Sequence, residues 1–323
     1  MRNRRNAEQK KEKNGARSRK PGRRRHLAYL PVIGSILLLL AVFILSPFSK
    51  YLVSLGVMSV YSGMHERNSV MREKGIELWI PGGGITEETD WYPFVMTFQP
   101  SEESFCRFIG EEDRKLTILY NFPAFDLRWG KGCSRLYDPA SPYYNAFYGA
   151  YLVTDTDETD KDANTSAAKA ERKSGGRPPF GFRADGSLDL SKTGLVPQYD
   201  FEKLVLADFG ISAQEMRFQW TVRNMETADG FLDHDGWTRV DADLTVSGAF
   251  HRAAEFRQSY LQYGTPKYDA YPEADFAPAA MYGRVYARYF PEWDSSVFFY
   301  VMAGSQEIVD ACDQNILKKS RLR

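Results

Sequence analysis

Residues 216–246 read MRFQWTVRNMETADGFLDHDGWTRVDADLTV, and the reading of this stretch decides the fold. Met216, Phe218, Trp220 and Val222 alternate with Arg217, Gln219 and Thr221. Successive residues of a strand point to opposite sides, so a period of two marks a strand with one buried face. Thr238, Val240, Ala242, Leu244 and Val246 repeat the pattern against Arg239, Asp241, Asp243 and Thr245. Asp229-Gly230 and Asp235-Gly236 lie between the two runs and supply turn chemistry, which predicts that the strands pair antiparallel.

Outward from this pair, further strands are predicted at residues 77–80, 94–98, 116–122, 146–154, 282–290 and 297–302. Helices are fewer and have readable ends. Residues 101–109 open with Ser101 as N-cap, carry Glu102 and Glu103 in the first turn, and stop at Gly110. Asp200 is placed to cap 201–208. Residues 249–263 end at Gly264, and 306–318 follow Ser305 with Ile308, Val309, Cys312 and Ile316 on one face. Strands mixed with a few segregated helices give an α+β domain with a mainly antiparallel sheet.

A different kind of segment precedes this domain. The run from Leu27 to Phe48, LAYLPVIGSILLLLAVFILSPF, is 22 residues without a charged side chain. As a helix it reaches roughly 33 Å, enough for a hydrocarbon core of about 30 Å. Residues 9–26 carry nine Lys/Arg, whereas 49–66 carry only Lys50. Cations stay on the cytoplasmic side, so the expected topology is single-pass, with the N-terminus inside and the C-terminal domain outside. A signal-anchor is preferred to a cleaved signal because the run is long and no A-x-A-like site follows it. The expected organisation is a basic, disordered cytoplasmic tail at 1–26, a transmembrane helix at 27–48, a juxtamembrane segment at 49–62, and an extracytoplasmic domain at 63–323. The lipid bilayer is the partner of the Leu27 to Phe48 run.

The formal charge of +0 conceals an asymmetry, because residues 1–26 hold twelve Lys/Arg against two acids. The remainder has 30 basic and 40 acidic residues, and an acidic body is a poor partner for nucleic acid. With 43% apolar and 14% aromatic residues, the chain can build a substantial core. Residues 156–186 break the pattern, with almost no large apolar side chain before Phe180, and read as a mobile polar loop. Within it Asp160, Asp162, Asn164 and Glu171 fall at calcium-loop spacing, but Thr165 stands where the turn needs Gly. Linker composition explains them better. Asn164-Thr165-Ser166 is also a glycosylation sequon.

No cofactor or metal motif is found: the chain has no G-x-S-x-G elbow, no H-E-x-x-H helix, and Gly82–Gly84 lacks the Lys of a phosphate loop. Three groups remain as candidates. Asp233, His234 and Asp235 form an acid–base or ligand trio in a loop, though Asp235-Gly236 is ordinary turn chemistry. Asp126, with Glu87, Glu88 and Asp90, offers paired carboxylates of the kind glycoside hydrolysis needs. Residues 137–151, YDPASPYYNAFYGAY, hold five Tyr; Tyr143 and Tyr144 around Pro142 are the expected exposed contacts for an envelope protein or glycan. Cys106, Cys133 and Cys312 are expected mostly as unpaired thiols, with a Cys106–Cys133 bridge as the alternative. Function therefore reads as a membrane-anchored, non-enzymatic binding or structural module of the cell envelope. A glycan-directed hydrolase and a sensory or regulatory ectodomain are the alternatives.

Overall fold

The computed structural model describes residues 23–83, 90–126, 133–137, 141–156, 177–205, 218–247 and 278–323. It divides into two units, Met1–Ser49 and Lys50–Arg323. The first contains helix α1 (Arg23–Leu45). Its side chains from Pro31 to Leu45 are all exposed, with Leu38, Leu39 and Val42 at 66%, 68% and 59%. Consecutive helical residues point about 100° apart, so the apolar surface runs round the whole circumference. Among the described residues no helix is long and apolar enough to cross a membrane.

The second unit is α+β. After α2 (Pro47–Arg67) and α3 (Val70–Lys74) come β1 (Leu78–Trp79), β2 (Met96–Phe98), α4 (Glu102–Ile109), β3 (Arg114–Asn121), β4 (Phe125–Asp126) and β5 (Cys133–Ser134). The chain continues through β6 (Phe147–Asp155), short helices α5 (Leu190–Thr193) and α6 (Leu195–Tyr199), β7 (Phe218–Thr227) and β8 (Thr238–Ser247). It closes with β9 (Pro278–Phe290), β10 (Ser295–Ala303), α7 (Gln306–Asn315) and β11 (Arg321–Leu322). Seven strands form one sheet in the order β2-β3-β6-β10-β9-β8-β7, antiparallel throughout. The hairpin expected from the alternating runs is β7–β8, with Phe218 opposite Val246 and Trp220 opposite Leu244.

Helices cover both faces of this sheet, which makes β6 and β10 buried along nearly their whole length. One face carries Leu116, Ile118, Tyr151, Phe298 and Tyr300 against Phe105 of α4 and Phe180, Val196 and Tyr199 of the segment around α5 and α6. The other carries Tyr148, Leu152, Phe299 and Val301 against Val309, Cys312 and Ile316 of α7. The caps read from sequence form in α4, where Ser101 accepts from the Ser104 N–H and Gly110 turns left-handed at φ 69°, and in α7, where Ser305 accepts from the Ile308 N–H. The helix expected at 201–208 is seen as a π-helical stretch over Asp200–Val205 that continues from α6, and Asp200 is its first residue rather than its cap, with its carboxylate accepting from the Tyr151 hydroxyl. The predicted helix at 249–263 lies outside the described residues.

Both edges of the sheet are guarded. At β2, Ser62 Oγ on α2 accepts from the Thr97 N–H at 2.9 Å, and His65 Nδ1 accepts from the Gln99 N–H at 3.2 Å. At β7 the register shifts between Val222 and Asn224, a bulge that disturbs the exposed ladder.

Candidate functional site

The β8–β9 register sets Asp241 opposite Arg284 and Arg239 opposite Tyr286. The same alternation that buries Val240 and Ala242 on one face sends these four to the other, beneath α7. Arg284 is 5% exposed. Its Nε donates to Asp241 at 2.7 Å, Nη1 to Asp313 at 2.9 Å and Nη2 to Asp310 at 2.8 Å. Asp310 and Asp313 are three apart in α7, so one helix face offers both. Tyr286 donates its hydroxyl to the second oxygen of Asp313 at 2.9 Å. Burial opposes the charge on Arg284, but its bond to Asp241 and the fields of Asp313 and Asp241 outweigh burial and raise its pKa further. Burial, and then Asp313, push the Tyr286 phenol upward.

Over this buried network lies a polar cavity of about 380 Å³. Its walls are the strand end Glu226–Thr227, the loop from Ala228 to Leu232, and the side chains of Arg239, Tyr286 and Lys318. Arg239 bonds Glu226 at 2.9 Å through Nη1 and Asp241 at 2.7 Å through Nη2, while its Nε is buried with no hydrogen-bond partner. Lys318 stands 3.4 Å from Asp313 and is 41% exposed. The loop is held from both ends: Asp235 accepts from the Gly230 N–H and Asp229 from the Gly236 N–H, each at 3.1 Å. Gly230 and Gly236 take φ 75° and 81°, and Leu232 and Asp233 are non-glycine residues at φ 52° and 62°. Backbone of that kind persists only where its surroundings fix it.

The loop singled out in the sequence thus frames the cavity, but through different residues. Asp235 braces a turn. His234 lies 3.3 Å from the Leu322 carbonyl and edge-on to Phe290. Asp233, His234 and Asp235 are not among the cavity walls. Tyr143 and Tyr144, expected as exposed contacts, are half-buried. Tyr143 donates to Asp90 at 3.0 Å and meets Trp91 edge-on, and Tyr144 packs against the core. Asp90 also pairs with Arg135, so its carboxylate is already occupied on both oxygens. Asp126 belongs to β4 and pairs with Cys133 in backbone register, while its side chain, like Glu87, Glu88 and the calcium-spaced residues 160–171, lies outside the described residues. Cys106 forms no disulfide and its thiol donates to the Arg114 carbonyl at 3.2 Å, while Cys312 is fully buried beneath the sheet. Among the described residues no group of three or more His, Cys, Asp or Glu is arranged to hold a metal ion.

The opposite face has a second unusual cluster. Tyr151 and Tyr300 stack at 4.3 Å, and the Tyr151 hydroxyl donates to Asp200 at 2.8 Å. The Tyr300 hydroxyl, buried beside Tyr151, makes no hydrogen bond of regular geometry. Burial raises the Asp200 carboxyl to about 6, against a smaller lowering by the Tyr151 bond. An apolar cavity of about 40 Å³ adjoins the two tyrosines between Trp220, Leu244 and Phe298, room for a water molecule or two rather than for a ligand.

The chain matches no known family model, no curated protein and no solved structure.

Proposed function

We propose that the chain is a membrane-tethered, non-enzymatic binding or structural module of a cell envelope. In this reading residues 27–48 cross the bilayer, residues 1–26 stay in the cytoplasm, 49–62 lead out of the membrane, and the sheet domain within 63–323 works on the far side. The observation that supports it most is the apolar surface all round α1. Nine side chains between Ile36 and Leu45 (all but Ala41) are each more than 40% exposed. Burial of one such side chain is worth roughly 1.5–3 kcal/mol, so leaving this surface in water costs on the order of 10 kcal/mol. Lipid removes that cost, and the nine Lys/Arg of residues 9–26 orient the insertion.

The test is extraction of isolated membranes at alkaline pH, which strips peripheral proteins and leaves spanning ones. The full chain is expected in the membrane pellet. A Leu38→Arg/Leu39→Arg variant is expected in the supernatant, since each central charge costs about 2.5–3.5 kcal/mol on insertion. Release of the unaltered full chain overturns the proposal.

A further inference from the structure

We infer that the polar cavity beside the 228–237 loop is a binding site for a neutral, polyhydroxylated ligand of about one sugar ring. This deepens the reading above, and rests on it only for the compartment in which such a ligand would be met.

Size comes first. About 380 Å³ is open there, roughly a dozen water volumes at about 30 Å³ each, and within the usual range for small-molecule sites. The charge of the wall then selects among ligands. Glu226, Asp229, Arg239 and Lys318 line one small volume, two acids and two bases, with Glu226 paired to Arg239 at 2.9 Å. An anion drawn to Arg239 or Lys318 meets Glu226, and a cation drawn to Glu226 meets both bases. A hydroxyl donates and accepts at once, so a ring of hydroxyls can satisfy both kinds of group without leaving net charge in the site.

The apolar part of the wall fits the same class. Phe231 and Tyr286 stack on each other at 3.9 Å and are 7% and 2% exposed, a fixed apolar floor, and half-buried Leu232 beside them offers the surface for C–H groups to pack on. The site is also preformed. Reciprocal bonds from Asp229 and Asp235 pin the loop, and the Arg284–Asp313 network fixes Tyr286 from below. Every wall residue is described, and the strand ends at Phe218, Ser247 and Pro278, where chain outside the described residues joins, lie at the opposite end of the sheet.

The experiment is saturation-transfer NMR on the full chain in detergent micelles, with D-glucose, D-galactose and N-acetyl-D-glucosamine as probes, and zwitterionic glycine and anionic acetate as charged comparators. At least one neutral sugar is expected to bind saturably. Glu226→Ala and Lys318→Ala, both at exposed side chains, are each expected to weaken it about tenfold or more with unchanged circular dichroism. Glu103→Ala, remote on α4, leaves it unchanged. Absence of saturable binding by all three sugars overturns the inference, as does binding that survives both substitutions or a stronger response to glycine or acetate. Such a failure with the chain still in the alkaline pellet removes the ligand and leaves the tether standing.

Discussion

Replacing Asp200 with Asn makes the protein more stable at neutral pH and flattens its pH dependence. Asp200 places a carboxyl beside Tyr151 and Tyr300, where burial raises its pKa from 3.8 to about 6. A group whose folded pKa lies above its unfolded one contributes fully to stability below the unfolded value. That contribution is lost as pH rises through the folded value. The loss here runs from about pH 4 to completion above about pH 6. The shift is about two units, and at about 1.36 kcal/mol per unit the folded state gives up roughly 3 kcal/mol by pH 7.5. Asn carries no charge at any of these pH values, and its carbonyl oxygen can still accept the Tyr151 hydroxyl. Asp200 is partly accessible as a residue, which trims the expected gain to about 1–3 kcal/mol. Urea unfolding of the full chain in micelles, followed by tryptophan fluorescence at pH 4.5, 6 and 7.5, measures it. The variant should gain on the parent between pH 4.5 and 7.5. A variant that is less stable at pH 7.5, or whose stability runs parallel to the parent across the range, refutes the reasoning.

Three other outcomes follow from the same structure. Arg284→Met removes the cation shared by buried Asp241 and Asp313, leaving them only Arg239 and Lys318, and should cost about 3 kcal/mol in urea unfolding; a loss under 1 kcal/mol contradicts the network. Gly149→Ala sets a methyl group 1.9 Å from the Leu119 carbonyl oxygen, so β3 and β6 must separate, and a drop of about 3 kcal/mol or more is expected in the same assay. His65 is held neutral by burial, and its Nδ1 must stay unprotonated to accept the Gln99 N–H. Its folded pKa therefore lies below 6.5, and this part of the stability is present above 6.5 and lost as pH falls through the folded value. An NMR titration of the ring with a midpoint above 6.5 counts against the α2–β2 clamp.

What the sequence reveals depends on how local the cause is. The β7–β8 pair is legible because alternation and Asp-Gly turns act within a few residues of one another. Caps at Ser101 and Ser305 are legible for the same reason. Asp200 looks like one more cap, since an Asp before a helical run carries the same signature whether its carboxylate bonds the next turn or a tyrosine 49 positions away. Tyr143 and Tyr144 mislead in a similar way. A Tyr-rich stretch beside Pro142 is equally consistent with a contact surface and with packing, and the half-burial of Tyr143 comes from Asp90 and Trp91, which arrive from another part of the chain. The cavity and the arginine beneath it are invisible beforehand. Arg284 finds Asp241 at 43 positions and Asp313 at 29, and nothing in either neighbourhood announces the other. One clue was present: Arg239, Asp241 and Asp243 sit on what the alternation marks as the outer face of β8. Charged residues there read as solvated until α7 covers part of that face.

If residues 27–48 span the bilayer as proposed, the sheet domain lies on its far side, and a pair of reporters fused after Arg323 reads that side. One reporter is active only outside the cytoplasm and the other only within it. Signal is expected from the outside reporter alone, with inversion of that result when the Lys and Arg residues of 9–26 are replaced by Gln and matching cations are placed at 51–66. Signal from the cytoplasmic reporter on the unaltered chain would contradict it.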